Sequence, residues 1–130
     1  MNLRGVLIVD DNPQLRGLLS ALLQSDGRFV VVGEAADGHE ALRLVEQLDP
    51  ELVILDLCMP GMDGIEVLER LGELAEPPVT VVLTGYADEE LHEQIRSAGA
   101  AMCFEKGRDF TNLTERLAAS PARPVRHESA

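Results

Sequence analysis

Glu51-Leu52-Val53-Ile54-Leu55 leads directly into Asp56, and Leu57-Cys58-Met59-Pro60-Gly61-Met62-Asp63-Gly64 follows. An apolar run of this length, bounded by a Pro/Gly turn, reads as a strand buried on both faces, the pattern of a parallel sheet. A carboxylate at the carboxyl end of such a strand is aimed into the crevice where open α/β sheets bind ligands. Further runs end the same way. Val6-Leu7-Ile8-Val9 delivers Asp10 and Asp11, Val79-Thr80-Val81-Val82-Leu83 delivers Thr84, and Ala101-Met102-Cys103-Phe104-Glu105 delivers Lys106. Three carboxylates, a hydroxyl and an ammonium are therefore expected on one rim.

Helical patterns separate these strands. Asn12-Pro13 supplies a cap and a first-turn proline, after which Leu15, Leu18, Leu19, Leu22 and Leu23 recur at helical spacing. Phe29-Val30-Val31-Val32 predicts a second strand ending near Glu34. Gly38 opens a second helix, with Ala41, Val45 and Leu48 on one face and Asp49-Pro50 as its stop. Ile65, Leu68 and Leu71 mark a third helix from about Gly64. Asp88 caps a fourth helix with Leu91, Ile95 and Ala98 inward, ended by Gly99. A fifth is expected from about Asp109 to Ala119, with Phe110, Leu113 and Leu117 inward.

Five βα units in succession predict an α/β fold, a doubly wound five-stranded parallel sheet with helices on both faces and right-handed crossovers. The flavodoxin-like (βα)5 order 2-1-3-4-5 makes the first and third strands neighbours at the switch point. Asp10, Asp11 and Asp56 then face one another across the crevice. At 130 residues the chain has room for a single domain, expected over 1–119. From Ser120 onward apolar periodicity is lost, and 120–130 reads as a disordered tail.

Aromatic residues make up only 3% of the chain, so Val, Leu, Ile and Ala must fill the core. A formal net charge of -12 argues against direct DNA binding and against anionic membrane surfaces, both of which reward positive charge. The first apolar run stops at Asp10 without the length or cleavage signals of a signal peptide, and no stretch reaches membrane-span length. Cys58 and Cys103 make neither a disulfide framework nor a zinc site, and both read as small, partly buried hydrophobes. A reducing cytoplasm is the expected location.

Three carboxylates on one rim repel one another and need a counter-ion. A hard divalent cation suits them: Mg²⁺, or Mn²⁺ in its place, takes oxygen ligands and keeps waters that phosphate oxygens can replace. Thr84 and Lys106 add a hydroxyl donor and a cation to hold a phosphoryl group, a transfer that depends chiefly on positioning and charge neutralisation. Asp56 is the best candidate nucleophile, because its strand is central and Asp10-Asp11 form the adjacent pair suited to metal. Taken singly, Asp-Asp-Asn-Pro is a common turn and cap, Asp63-Gly64 a common turn, and Lys106 an ordinary solvated charge. Their joint occurrence at successive strand ends is what points to a site.

These residues resemble the receiver domain of two-component response regulators over about Val6 to Ala119. The matching elements are Asp10-Asp11, the segment from Asp56 to Gly64, Thr84-Gly85, Ala98-Gly99-Ala100 and Lys106. The resemblance implies that Asp56 accepts a phosphoryl group from the phosphohistidine of a sensor histidine kinase or a phosphotransfer protein. It further implies Mg²⁺ ligation by Asp11, Asp56 and the backbone carbonyl of Cys58, with Asp10 assisting through water. Thr84 and Lys106 would contact the phosphoryl oxygens, and Thr84 would couple the mark to the face of the fourth helix, last strand and fifth helix.

Two positions depart from the family pattern. Lys106-Gly107 stands where receivers carry Lys-Pro, which removes the preference for a cis bond there. Cys103 aligns with the usual aromatic switch position, and Phe104 faces the opposite side of the strand. Switching is thus expected to rely on the Thr84 loop and the fourth helix. By the same likeness Cys58 and Tyr86 flank the path of the hydrolytic water, which predicts slow autodephosphorylation.

The reading that results is a stand-alone phosphoacceptor switch, not a turnover enzyme, acting on a downstream protein target, with a homodimer through the fourth-helix face as a further expectation. An aspartyl-phosphate-forming phosphatase is the enzymatic alternative, disfavoured because Cys58 stands where its acid/base Asp belongs. A phosphorylation-independent interaction module is disfavoured by the intact set of Asp10, Asp11, Asp56, Thr84 and Lys106. The cognate kinase, stimulus and output partner are not encoded in any of these residues.

Overall fold

In the computed structural model, which describes residues 3–59, 62–85, 88–106 and 112–121, five strands form one parallel sheet. They are β1 (Arg4–Val9), β2 (Phe29–Ala35), β3 (Leu52–Asp56), β4 (Val79–Thr84) and β5 (Met102–Glu105), in the order β2-β1-β3-β4-β5. This is the expected 2-1-3-4-5 arrangement. The helices are α1 (Pro13–Asp26), α2 (Gly38–Leu48), α3 (Gly64–Gly72), α4 (Glu89–Ser97) and α5 (Leu113–Ala118).

Alternation along each strand sorts the core into two layers. Val6, Ile8, Leu52, Ile54, Val81, Leu83 and Phe104 pack with Leu19 and Leu23 of α1 and Leu113 and Leu117 of α5. Leu7, Val9, Val53, Leu55 and Val82 pack instead with Ala41 and Val45 of α2, Val67, Leu68 and Leu71 of α3, and Ile95 of α4. All five residues of β3 are buried, which is why the run 52–55 ahead of Asp56 lacks a polar alternate.

Local chemistry sets the helix ends. The Asn12 side chain accepts from the amides of Gln14 and Leu15, and Pro13 takes the first helical position. Asp37, Asp63 and Asp88 cap α2, α3 and α4 in the same manner. Asp49 stops α2 in the left-handed region, at φ 48°, ahead of Pro50. At the end of α4 the Gly99 amide donates to Arg96 O and the Ala100 amide to Ile95 O, with Gly99 at φ +110°. That pair of bonds is a Schellman cap, and only glycine adopts its backbone conformation without strain.

Four expectations shift in detail. β2 runs on to Ala35, beyond Glu34. In α1 Leu19 and Leu23 are buried while Leu18 is 49% exposed, since five leucines subtend a wider arc than the stripe one sheet face covers. The described part of α5 starts at Leu113, with Asn112 at its cap; the start near Asp109 and the packing of Phe110 lie outside the described residues. Finally, Ser120 and Pro121 belong to the packed structure. The Arg4 guanidinium donates to Leu117 O at 3.0 Å, Ser120 Oγ at 2.8 Å and Pro121 O at 2.9 Å, while its Nε pairs with Glu51 at 2.8 Å. Arginine's planar fork satisfies a carbonyl in the last turn of α5 and those just beyond the helix, and Ser120 is 7% exposed. The remainder of the expected tail, 122–130, lies outside the described residues. Among the described residues no helix is long and apolar enough to cross a membrane.

Candidate functional site

The register of β1 on β3 pairs Val9 with Leu55, so the next residues, Asp10 and Asp56, emerge side by side at the switch point. Carboxylate oxygens of Asp10, Asp11 and Asp56 all lie within 4.8 Å of one another. Asp10 and Asp56 are completely buried, and Asp11 is exposed. Each buried carboxylate is oriented by the chain just after it. The Asn12 amide donates to Asp10 Oδ1 at 2.8 Å, and the Cys58 amide donates to Asp56 Oδ1 at 2.9 Å. The two remaining oxygens, Asp10 Oδ2 and Asp56 Oδ2, are buried and receive no well-directed hydrogen bond.

Lys106 Nζ approaches both, at 2.9 Å from Asp56 Oδ2 and 3.4 Å from Asp10 Oδ2. These are ion pairs, off the direction of a good hydrogen bond. Burial pulls the ammonium down, but close pairing with and attraction from Asp56, with Asp10 behind it, outweigh that and hold Lys106 above the ordinary lysine value. It is therefore fully charged at neutral pH. One ammonium among three carboxylates leaves a net deficit of positive charge, and the two buried Oδ2 atoms have only that ammonium between them. That donor set fits a hard divalent cation: oxygen ligands only, carboxylate-rich, open on the Asp11 side.

Thr84 ends β4 and is buried. Its carbonyl accepts the Lys106 amide at 2.7 Å, so the end of β4 sets where Lys106 leaves β5. Cys58 lies in the turn after Asp56, which is braced by an antiparallel two-residue ladder, Cys58 on Asp63 and Met59 on Met62. Gly64 closes this turn at contact distance. A Cβ there would lie 2.7 Å from both Cα and O of Leu57, so any side chain would displace the residue after Asp56. All of the expected site residues, Asp10, Asp11, Asp56, Cys58, Thr84 and Lys106, thus lie at the carboxyl ends of β1, β3, β4 and β5 or in the turns that follow. Tyr86 and the Lys106-Gly107 bond lie outside the described residues.

Cys103 is half-buried against the layer that includes Ile95 of α4, whereas Phe104 is buried in the opposite layer, its ring centroid 4.1 Å from the Arg116 guanidinium carbon. Phe104 therefore does not stand in for an aromatic at position 103. Burial, together with the nearby Glu105 carboxylate, pushes the Cys103 thiol above its usual range, and Arg116 offsets this only partly. Cys58 is exposed. Since the thiolate is the reactive species, limited iodoacetamide at neutral pH is expected to alkylate Cys58 first. Peptide mapping showing Cys103 modified at an equal rate would contradict this.

Sequence reasoning passed over Arg4 and Arg16. Arg16 Nη1 donates to Asp10 O at 2.6 Å, and its Nε pairs with Glu34 at 3.1 Å. A signal for it did exist. Arg16 lies in the first turn of α1, where the helix dipole disfavours a cation, and that first turn carries no acidic residue. Nothing comparable marked Arg4, whose partners are Glu51 and, more than a hundred residues away, positions 117, 120 and 121.

A family model described as "Response regulator receiver domain" matches residues 6–118. The chain is 34% identical over 120 residues to the transcriptional regulatory protein LiaR of Bacillus subtilis, covering 92% of this chain and 57% of that protein. The chain spans little more than half, or only about a third, of the length of the curated relatives it matches. Among solved structures, the receiver domain of the response regulator NarL from Mycobacterium tuberculosis superposes with a TM-score of 0.85 at 28% identity, over 92% of this chain and 96% of that one. The CheX-CheY-BeF3-Mg+2 complex from Borrelia burgdorferi gives a TM-score of 0.82 at 28% identity, over 89% and 87% respectively. With the sheet order, the three converging carboxylates and a family match across 6–118 in agreement, the chain belongs to the response regulator receiver domain family of two-component systems.

Proposed function

We propose that Asp56 is the phosphoacceptor of this chain and that the state of Asp56 switches its contacts with other proteins. The observation that carries this is the Asp10–Asp11–Asp56 cluster with Lys106 Nζ 2.9 Å from Asp56 Oδ2. Asp56 Oδ1 is occupied by the Cys58 amide, so Oδ2 is the available nucleophilic oxygen. Its lone pair attacks the phosphorus of a phosphohistidine, the P–N bond breaks, and the imidazole leaves with that electron pair. The product is an acyl phosphate on Asp56. Lys106 moves its pairing from the carboxylate to a phosphoryl oxygen, and the Thr84 hydroxyl donates to another.

Asp10, Asp11, Asp56 and the Cys58 carbonyl would hold Mg²⁺ or Mn²⁺, which when bound neutralises carboxylate and phosphoryl charge together. The structure solved from Borrelia burgdorferi contains Mg²⁺ with a receiver of this fold, which supports that choice. A sensor histidine kinase or phosphotransfer protein is the donor in this reading, in the cytoplasm, and the recipient of the signal is a protein docked through α4, β5 and α5, with a homodimer through α4 as one form of it. No turnover chemistry and no direct DNA contact are assigned to residues 1–130.

The test is incubation of the full chain with acetyl phosphate and Mg²⁺, read by intact-mass spectrometry. One added phosphoryl group, dependent on the metal, is expected. Unchanged mass with a competent donor would overturn the proposal, and continuous release of inorganic phosphate without an accumulated adduct would favour the phosphatase alternative.

A further inference from the structure

Asp10 is held through its backbone as well as through its side chain. Its amide donates to Ala35 O at 3.0 Å, at the end of β2. Its carbonyl accepts from Arg16 Nη1 at 2.6 Å. Arg16 reaches back from α1, and its Nε is aimed by Glu34, also at the end of β2. The peptide linking Asp10 to Asp11 is therefore clamped between the β2 edge and the first turn of α1. Asn12 then anchors the far end of the same three-residue connection by capping that helix. The connection carries two of the three clustered carboxylates, and Asp11 is the exposed one.

The location of the charge matters as well. Arg16 is mostly buried, at 18% side-chain exposure, and sits at the amino end of a helix, where its charge is disfavoured by the dipole. A charge-assisted bond to a strand-end carbonyl offsets that cost. It also fixes the rotation of the Asp10–Asp11 peptide, which sets the direction in which the Asp11 side chain leaves the chain. Without the clamp, this connection would have to be ordered at the moment a cation binds.

We infer that Arg16, aimed by Glu34, is a positioning residue for the cation site: it holds the Asp10 carbonyl and so presets the Asp10 and Asp11 carboxylates for a divalent metal. This rests on the reading that the cluster binds Mg²⁺. Groups that orient metal ligands from outside commonly carry about 10–100-fold of the affinity. Arg16→Met keeps the apolar stem and removes the fork, whereas Arg16→Lys keeps the charge but cannot bridge Asp10 and Glu34 together.

The experiment measures the Mg²⁺ midpoint for acetyl-phosphate labelling of the full chain, together with direct Mg²⁺ titration by calorimetry and the melting temperature in metal-free buffer. Arg16→Met is expected to raise the Mg²⁺ midpoint about tenfold or more, with the labelling rate at saturating Mg²⁺ close to the parent's. Arg16→Lys and Glu34→Gln should fall between the two. A merely structural role would lower the metal-free melting temperature and the labelled fraction while leaving the midpoint unmoved. If Arg16→Met is insoluble, Arg16→Lys and Glu34→Gln decide, since both keep the local packing. Parent-like Mg²⁺ midpoints in folded variants would overturn this inference alone. A parent chain that neither binds Mg²⁺ nor accepts phosphate would overturn the underlying reading, and this one with it.

Discussion

Asp56→Asn is expected to abolish labelling by acetyl phosphate or a phosphohistidine donor completely, because an amide oxygen is a far weaker nucleophile than a carboxylate and cannot form the acyl phosphate. The substitution should not unfold the protein. The carbonyl oxygen of the introduced side-chain amide can still accept from the Cys58 amide that now bonds Asp56 Oδ1, and Lys106 keeps Asp10 as a partner. The change also removes one of three mutually repelling carboxylates, two of which are wholly buried. In metal-free buffer the variant's melting temperature should therefore equal or exceed that of the parent. Added Mg²⁺ reverses the ranking. At a hundredfold excess over its dissociation constant, a ligand of the folded state alone stabilises by about 2.7 kcal/mol, and the parent should gain this while Asp56→Asn gains little. Thermal melts with and without Mg²⁺, paired with intact mass, check both halves. A labelled Asp56→Asn chain would remove Asp56 from the mechanism, and a clear drop in its metal-free melting temperature would contradict the electrostatic argument.

Ile54→Ala is expected to cost about 2–5 kcal/mol, the range for truncating a fully buried aliphatic side chain in a core that cannot close over the gap. Ile54 is 0% exposed at the middle of β3, paired with Ile8 on one side and Val81 on the other. Its side chain lies in the layer shared by α1 and α5, so the gap would be walled by two strands that cannot move independently. Against a typical total stability of about 5–15 kcal/mol, the loss is large enough to see as a fall in the urea midpoint. The slope of the transition should stay the same, since the surface exposed on unfolding is nearly unchanged. A midpoint within error of the parent would mean that the interior of the sheet is not packed as described.

Those two positions also show how differently the levels of structure were legible. Asp56 could be read because it ends an apolar run and precedes a Pro/Gly turn, both local features. Ile54 could be placed in the core for the same reason. The layer each residue joins follows from strand periodicity, and the separation of Cys103 from Phe104 into opposite layers was legible on that basis. Leu18 misled because periodicity counts apolar residues without measuring how wide a stripe the sheet covers. Ser120 misled for another reason. Its segment looks like a tail locally, and the Arg4 fork that holds it comes from the opposite end of the chain.

The strand and helix runs, the caps at Asn12, Asp88 and Gly99, and the candidacy of Asp10, Asp11, Asp56, Thr84 and Lys106 were legible in the sequence alone, since each depends on residue type and spacing within one or two turns of chain; the candidacy of Cys58 came through the family resemblance. Tertiary structure decided how the site is held: the strand register that sets Asp10 beside Asp56, the two Oδ2 atoms that share Lys106, the glycine-tight contact of Gly64 on Leu57, and the Arg16 grip on the Asp10 carbonyl. The physical reason is range. Backbone conformation and hydrophobic periodicity are local, whereas charge pairing and close packing act between groups that only the folded chain brings within a few ångströms.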